Sequence, residues 1–150
     1  MRLVIQRVLE AAVTVDSNLV SSIGKGLLIL VGVEKGDTPE DVKWLAGKAA
    51  GLRIFDDENG VMNKSVVEAG GGLLAVSQFT LTASTKKGNR PSYIRAAGHE
   101  TAIPLYDMFC RTLEEVSGIN VGRGIFGADM KVSLVNDGPV TIIIDSRLKE

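Results

Sequence analysis

Hydrophobic and polar positions along the chain sort into segments with two different periods. Residues 2–15 interleave β-branched and apolar side chains with Arg2, Gln6, Arg7 and Glu10, and predict one or two strands. Asp16, Ser17 and Asn18 spell a turn, and residues 19–23 are expected to pair back as a hairpin. Residues 27–33 are apolar almost throughout and lie between Gly26 and Gly36. That is the pattern of a central strand covered on both faces.

The period then changes. Thr38 is placed to cap a helix, Pro39 suits its first position, and Glu40 and Asp41 favour the positive end of its dipole. Val42, Leu45, Ala46 and Ala49 follow on one face, and the helix is expected to end between Gly51 and Arg53. Short extended pieces are expected at 53–55 and 61–67, with an acidic turn between them at 56–60. Residues 69–72 read as a hairpin loop and 73–81 as a clear strand. Residues 82–97 are polar and irregular. A second helix follows, with Ala102, Tyr106, Phe109, Leu113 and Val116 as its apolar stripe and Gly118 as its stop. Pro104 restricts that reading, because proline fits only the first turn. Residues 119–124 suggest a short strand, and two strands flank a turn at 136–139.

These elements describe an α+β domain, with two helices packed on curved, mostly antiparallel, barrel-like sheets. A chain of 150 residues fits a single domain spanning 1–150. Composition narrows the class further. The formal net charge of −1 argues against nucleic-acid binding over the whole surface, but leaves a local basic patch open. The single cysteine, Cys110, excludes an internal disulfide and suits a reducing compartment. Charged residues at the start break up any signal-like apolar block, and no apolar run spans a bilayer. A cytoplasmic protein, not associated with membrane, is the expectation.

Several motifs invite chemistry and lose it on inspection. Gly122-Arg123-Gly124-Ile125-Phe126-Gly127 has dinucleotide-binding spacing, yet a strand rather than a helix is expected after it. Its glycines are better read as places of close backbone or ligand approach. The only histidine, His99, has no nucleophile signature beside it and reads as a surface or capping residue. Cys110 lies on an apolar helix face and reads as core. No cluster has metal-ligand spacing, so neither metal nor cofactor is expected.

Three stretches remain. Lys86, Lys87, Arg90 and Arg95 stand in a loop without a single acid, which suits contact with phosphates or simple solvation. Ser77-Gln78-Phe79-Thr80 closes a buried strand with three hydrogen-bonding side chains. Asn136-Asp137-Gly138-Pro139-Val140-Thr141 places a glycine, free to adopt positive φ, beside a proline that brings no N–H. Such a dipeptide offers two main-chain acceptors at a stiff bend.

The last two stretches together resemble the signature motifs of the D-aminoacyl-tRNA deacylase family. The likeness extends over nearly the whole chain, from Met1-Arg2 and Gln6-Arg7-Val8 through Arg90-Pro91-Ser92 to residues 124–130. It implies a homodimer, with active sites at the subunit interface, that hydrolyses the ester joining a D-amino acid or glycine to the 3′-terminal adenosine of tRNA. It further implies a cis Gly138–Pro139 bond whose carbonyls receive the substrate amine in the other subunit's site, with Arg7 orienting the motif. Ser77, Gln78, Phe79 and Thr80 become the catalytic stretch, and the main-chain N–H groups around Phe79 and Thr80 face the scissile carbonyl. Phe126 and Met130 hold the adenosine. Two routes stay open for the chemical step: Thr80 as nucleophile, or water assisted by the adenosine 2′-hydroxyl. The competing functions are a non-catalytic module that binds a tRNA end, and an esterase for small amino-acid esters.

Overall fold

The residues expected to give one or two strands form a single long one, β1 (Arg2–Val15), in the computed structural model, which describes residues 1–150. Asp16 and Ser17 turn the chain with φ of 48° and 63°, the left-handed geometry of a tight hairpin. β2 (Asn18–Ile23) then pairs back on the second half of β1. β3 (Gly26–Gly32) pairs antiparallel with the first half. β1 therefore serves two neighbours along one edge, and the sheet curls around it.

Helix α1 (Pro39–Gly51) starts as its cap residues dictate. The Asp41 carboxylate accepts from the Thr38 N–H at 2.8 Å and from its hydroxyl at 2.9 Å. The following strands are shorter than expected. β4 (Phe55–Asp56) and β5 (Met62–Lys64) form a small separate ribbon. Residues 65–70 turn instead of extending, because Ser65 and Glu68 each accept the other's main-chain N–H, at 2.7 and 3.2 Å. Ser-x-x-Glu is a capping box, and it competes successfully with the β-propensity of Val66 and Val67.

β6 (Gly72–Ser77) joins β3 in parallel, so residues 69–72 are no hairpin loop. It also stops four residues before Leu81. Residues Phe79–Thr82 wind into a 3₁₀ turn, closed by Leu81 N–H to Gln78 O and by the Thr82 hydroxyl to Phe79 O at 2.8 Å. Threonine offering its hydroxyl to a nearby carbonyl is a local alternative to a strand ladder.

Helix α2 (His99–Ser117) buries Ala102, Tyr106, Phe109 and Leu113 as expected, with Leu105 and Cys110 beside them. Val116 is instead 53% exposed. The helix begins at His99, so Pro104 lies in its second turn, beyond the position the sequence reading allowed. Proline there forfeits only one helical bond, and the packed stripe outweighs it. Gly118 ends the helix at φ 71°, donating to Glu114 O.

β7 (Val121–Arg123) extends the sheet in parallel beside β6. The two expected C-terminal strands are one, β8 (Lys131–Asp145), which runs antiparallel along the free edge of β1. The main sheet has the order β2-β1-β3-β6-β7, and its ends approach each other: a methyl group on Gly122 of β7 would fall 2.4 Å from Ser21 Oγ of β2. The result is a nearly closed, barrel-like mixed sheet. Alternation along β3 and β6 sorts their residues onto two faces. Leu27, Ile29, Leu73 and Ala75 face the helices, while Leu28, Leu74 and Val76 join Val8 and Val13 inside the curl.

The buried core fixes two measurable properties. A methyl group on Gly26 would lie 2.0 Å from Gly72 O, whereas Gly47, on the exposed face of α1, has open space around it. Gly26→Ala is expected to lower unfolding free energy by about 1–3 kcal/mol in urea titration, and Gly47→Ala to raise it by about 0.5–1 kcal/mol. Burial also pushes the Cys110 thiol from its ordinary 9.0 up to about 11. Its ionisation is thus delayed in the folded chain, so stability is retained below pH 9 and declines as pH rises from 9 toward 11. Cys110→Ala should flatten that decline.

Candidate functional site

The C-terminal ends of β3 and β6 open into a cavity of about 510 Å³. Val31, Val33 and Val76 form its floor, and Ser77, Gln78 and Phe79 enter from the end of β6. Phe126 and Met130 come from the connection between β7 and β8. A methyl group on Gly124 would meet Met130 Sδ at 2.5 Å, so this glycine makes room for the thioether. The Gly-x-Gly-x-x-Gly stretch is therefore a packing device: Gly122 lets β2 approach, and Gly124 lets Met130 do so. No helix follows it.

The Ser77-Gln78-Phe79-Thr80 stretch is shaped by the strand ending where it does. Gln78 N–H still bonds to Val31 O at 2.8 Å, and then the chain turns. Phe79 and Thr80 open the 3₁₀ turn, and the first N–H groups of a helical turn have no partner within it. Both residues are exposed. The Thr80 hydroxyl accepts from the Gln78 side-chain amide, a donor with no capacity to remove its proton.

His99 also lines the cavity, its ring edge-on to Phe126 with centroids 5.5 Å apart. From sequence alone it is expected at the surface or at a helix cap. It is indeed exposed and is the first residue of α2, but it shares the cavity wall. Nothing in the local pattern signals this, because its partner stands 27 positions further along the chain.

The Gly138-Pro139 bend lies elsewhere. β8 follows β1 in register until Gln6 pairs with Thr141 and Val8 with Asn136, leaving Asp137, Gly138, Pro139 and Val140 to loop out opposite Arg7. Gly138 takes φ of 129°, a value side chains resist, and the peptide bond to Pro139 is cis. Both residues are exposed. Two side chains brace this excursion. Asn136 Nδ2 donates to Arg7 O at 2.9 Å and to Val140 O at 3.1 Å, closing the loop at its neck. The Arg7 guanidinium is almost wholly buried. It donates to Ile54 O at 2.6 Å and to Asp137 O at 3.2 Å, and meets the Asp137 carboxylate at 3.3 Å.

The sequence-derived residues thus fall into two groups. Ser77, Gln78 and Phe79 meet Phe126 and Met130 in the cavity, with Thr80 next to them. Arg7, Gly138 and Pro139 form the bend. Val132, at the start of β8, lines the cavity, and Gly138 lies six residues on, roughly 20 Å along an extended strand. Of the cationic loop, Lys86, Lys87 and Arg90 are exposed. Arg95 is engaged, donating to Thr82 O at 3.3 Å and facing the buried Glu34 at 3.6 Å.

The profile of the D-Tyr-tRNA(Tyr) deacylase family matches residues 4–145 of the chain. A D-aminoacyl-tRNA deacylase of Parabacteroides distasonis is 63% identical over 150 residues, covering both chains in full. That of Bacteroides thetaiotaomicron is 61% identical over the same span. Among solved structures, one described as c-Myc DNA Unwinding Element Binding Protein has a TM-score of 0.92 at 39% identity, covering 97% of this chain and 98% of its own. A probable eukaryotic D-amino acid tRNA deacylase shares the fold, with a TM-score of 0.81 at 18% identity over 95% and 97%.

The Arg7 brace generates a stability prediction. Arg7→Met leaves the buried Ile54 O and the part-buried Asp137 O without their donor, and is expected to lower unfolding free energy by about 2–4 kcal/mol in urea titration. Arg7→Lys, lacking the planar fork, should recover less than half of that loss.

Proposed function

This chain belongs to the D-Tyr-tRNA(Tyr) deacylase family, and from that premise we propose that it hydrolyses the ester bond between a D-amino acid and the 3′-terminal adenosine of tRNA in the cytoplasm. The observation that carries the reading is the cavity itself. It joins an apolar, partly aromatic compartment at Phe126 and Met130 to a polar strand end at Ser77, Gln78 and Phe79. The first suits a nucleobase. The second suits an ester, with Phe79 and Thr80 N–H groups aimed at charge that develops on its carbonyl oxygen.

In this reading the exposed carbonyls of Gly138 and Pro139 take the substrate's α-ammonium. Hydrogen bonds to a charged donor contribute roughly 1.5–3 kcal/mol each. Amine and ester carbon are neighbours in the substrate, yet the bend and the cavity of one chain lie far apart along β8. A second copy has to supply the bend. The unpaired outer edge of β8 supports this, because an open strand of 15 residues with Ile143 68% exposed is the kind of edge that proteins cover. With the amine and the ester both pinned, an L side chain is driven into main chain and a D side chain projects outward. Glycine, having no side chain, passes the same test.

Thr80 finds no base: its hydroxyl partner is an amide donor. Attack by water, assisted by the adenosine 2′-hydroxyl, therefore fits the site better than attack by Thr80. Thr80→Ala is expected to keep deacylation of D-Tyr-tRNA within about tenfold of the parent. A folded but inactive variant would make Thr80 the nucleophile.

Three substrates test the function as a whole. Hydrolysis of D-Tyr-tRNA, with L-Tyr-tRNA and D-tyrosine ethyl ester left intact, is the expected outcome. No hydrolysis at all would turn the protein into a binder of RNA ends, and hydrolysis of the ethyl ester would make it a general esterase.

A further inference from the structure

Beyond the cavity's mouth stand two apolar side chains that the site described so far does not use. Tyr93 is 39% exposed and Ile94 is 74% exposed. The Tyr93 ring meets that of Phe79 edge to face, with centroids 4.9 Å apart and planes at 65°. Phe79 lines the cavity, and so do Ala96 and Ala97, a few residues beyond Tyr93. The aromatic pair therefore continues the cavity wall outward.

This segment is held rather than loose. Ala96 N–H bonds to Tyr93 O at 2.9 Å, Lys35 N–H to Arg95 O at 2.9 Å, and Ala97 N–H to Val33 O at 3.0 Å. Immediately before Tyr93, Ser84 and Ser92 exchange two main-chain bonds of 2.9 Å and close the loop that presents Lys86, Lys87 and Arg90. None of the molecule's ion pairs engages those three cations. In a chain of net charge −1, the loop that leads directly into the exposed Tyr93 thus carries three cations and no acid.

Cations next to an aromatic face suit single-stranded nucleic acid, whose phosphates take the charges while an unstacked base rests on the ring. A protein partner fits less well, since the centres of protein interfaces are depleted of lysine. Resting on the proposed function, we propose that Tyr93, flanked by Ile94, is a stacking platform for the unpaired nucleotide preceding the terminal adenosine, with Lys86, Lys87 and Arg90 meeting its phosphates. The cavity takes the last nucleoside, and the platform takes its neighbour. Tyr93 is thus a substrate-positioning residue, outside the catalytic stretch.

The test compares two esters, D-tyrosyl-tRNA and D-tyrosyl-adenosine, the second lacking every nucleotide the platform would touch. Tyr93→Ala is expected to raise KM for the tRNA ester by about ten- to a hundredfold, the usual worth of one stacked base. Hydrolysis of D-tyrosyl-adenosine should stay within about twofold of the parent, and Tyr93→Phe, which keeps the ring, should behave as the parent on both. Equal losses on both esters would show that Tyr93 only props Phe79, and would overturn the proposal. So would an unchanged KM on both, or a change of oligomeric state in sedimentation. Should the parent hydrolyse neither ester, the hydrolase reading fails by itself. The platform is then decided by binding of a short single-stranded RNA ending in CCA against adenosine: unchanged RNA affinity in Tyr93→Ala refutes it, and a selective loss upholds it.

Discussion

The bend at Gly138-Pro139 exists because an arginine is buried beneath it. Main chain that leaves a ladder loses its regular partners, and buried carbonyls without donors are costly. Opposite Arg7, four residues of β8 leave the ladder at once. The guanidinium replaces what the ladder gave up, reaching Asp137 O and the Asp137 carboxylate on one side and Ile54 O on the other. Asn136 closes the neck. Arginine carries enough fixed donors to do this in one plane. With the underside of the excursion satisfied in this way, Gly138 and Pro139 are left at the surface. The same residue ties the bend to Ile54 at the foot of the small ribbon, so the bend moves with the sheet and not as a free loop.

Much of this was legible from the chain alone, where a local rule and a global need agreed. The start of α1 is written in Thr38, Pro39 and Asp41, and the bend in Gly138 and Pro139. β3 was readable as doubly covered because Leu27 to Val31, five apolar side chains in a row, leave no solvent face. The misses have two causes. Each occurred where short-range hydrogen bonding overrode β-propensity, or where a partner distant in sequence decided the outcome. Ser65 with Glu68, and Thr82 with Phe79 O, bend stretches whose side chains favour extension. The parallel pairing of β6 with β3 depends on α1 and the ribbon crossing over between them. Pro104 is accepted inside α2 because Phe109, Cys110 and Leu113 bury completely below it.

The site shows the same division. Phe126 and Met130, singled out by resemblance, both line the cavity, and Met130 can lie against the strand because Gly124 has no side chain. His99 escaped the sequence reading because its cavity role depends on Phe126, which only the fold brings near. Arg95 was grouped with the loop cations on charge alone. Its contacts with Thr82 O and Glu34 make it a fastener of the segment that carries Ala96 and Ala97, leaving Lys86, Lys87 and Arg90 as the cations presented outward.

A site assembled largely from main chain has a consequence for selectivity that side-chain pockets do not share. A pocket recognises by attraction, and one methylene more or less changes binding by only about 1–3 kcal/mol. That is too little to separate mirror images that differ in no group at all. Two fixed anchor points and a rigid wall work differently, since the wrong hand must either break an anchor or overlap the wall, and close-packed backbone yields little. The wall has to be stiff at the place where the side chain would go. In the proposed site that wall is the Gly138-Pro139 bend, which the buried Arg7 guanidinium braces from beneath. The surface presented upward then needs no particular side chain, and the proposed selectivity for hand can coexist with indifference to which amino acid arrives.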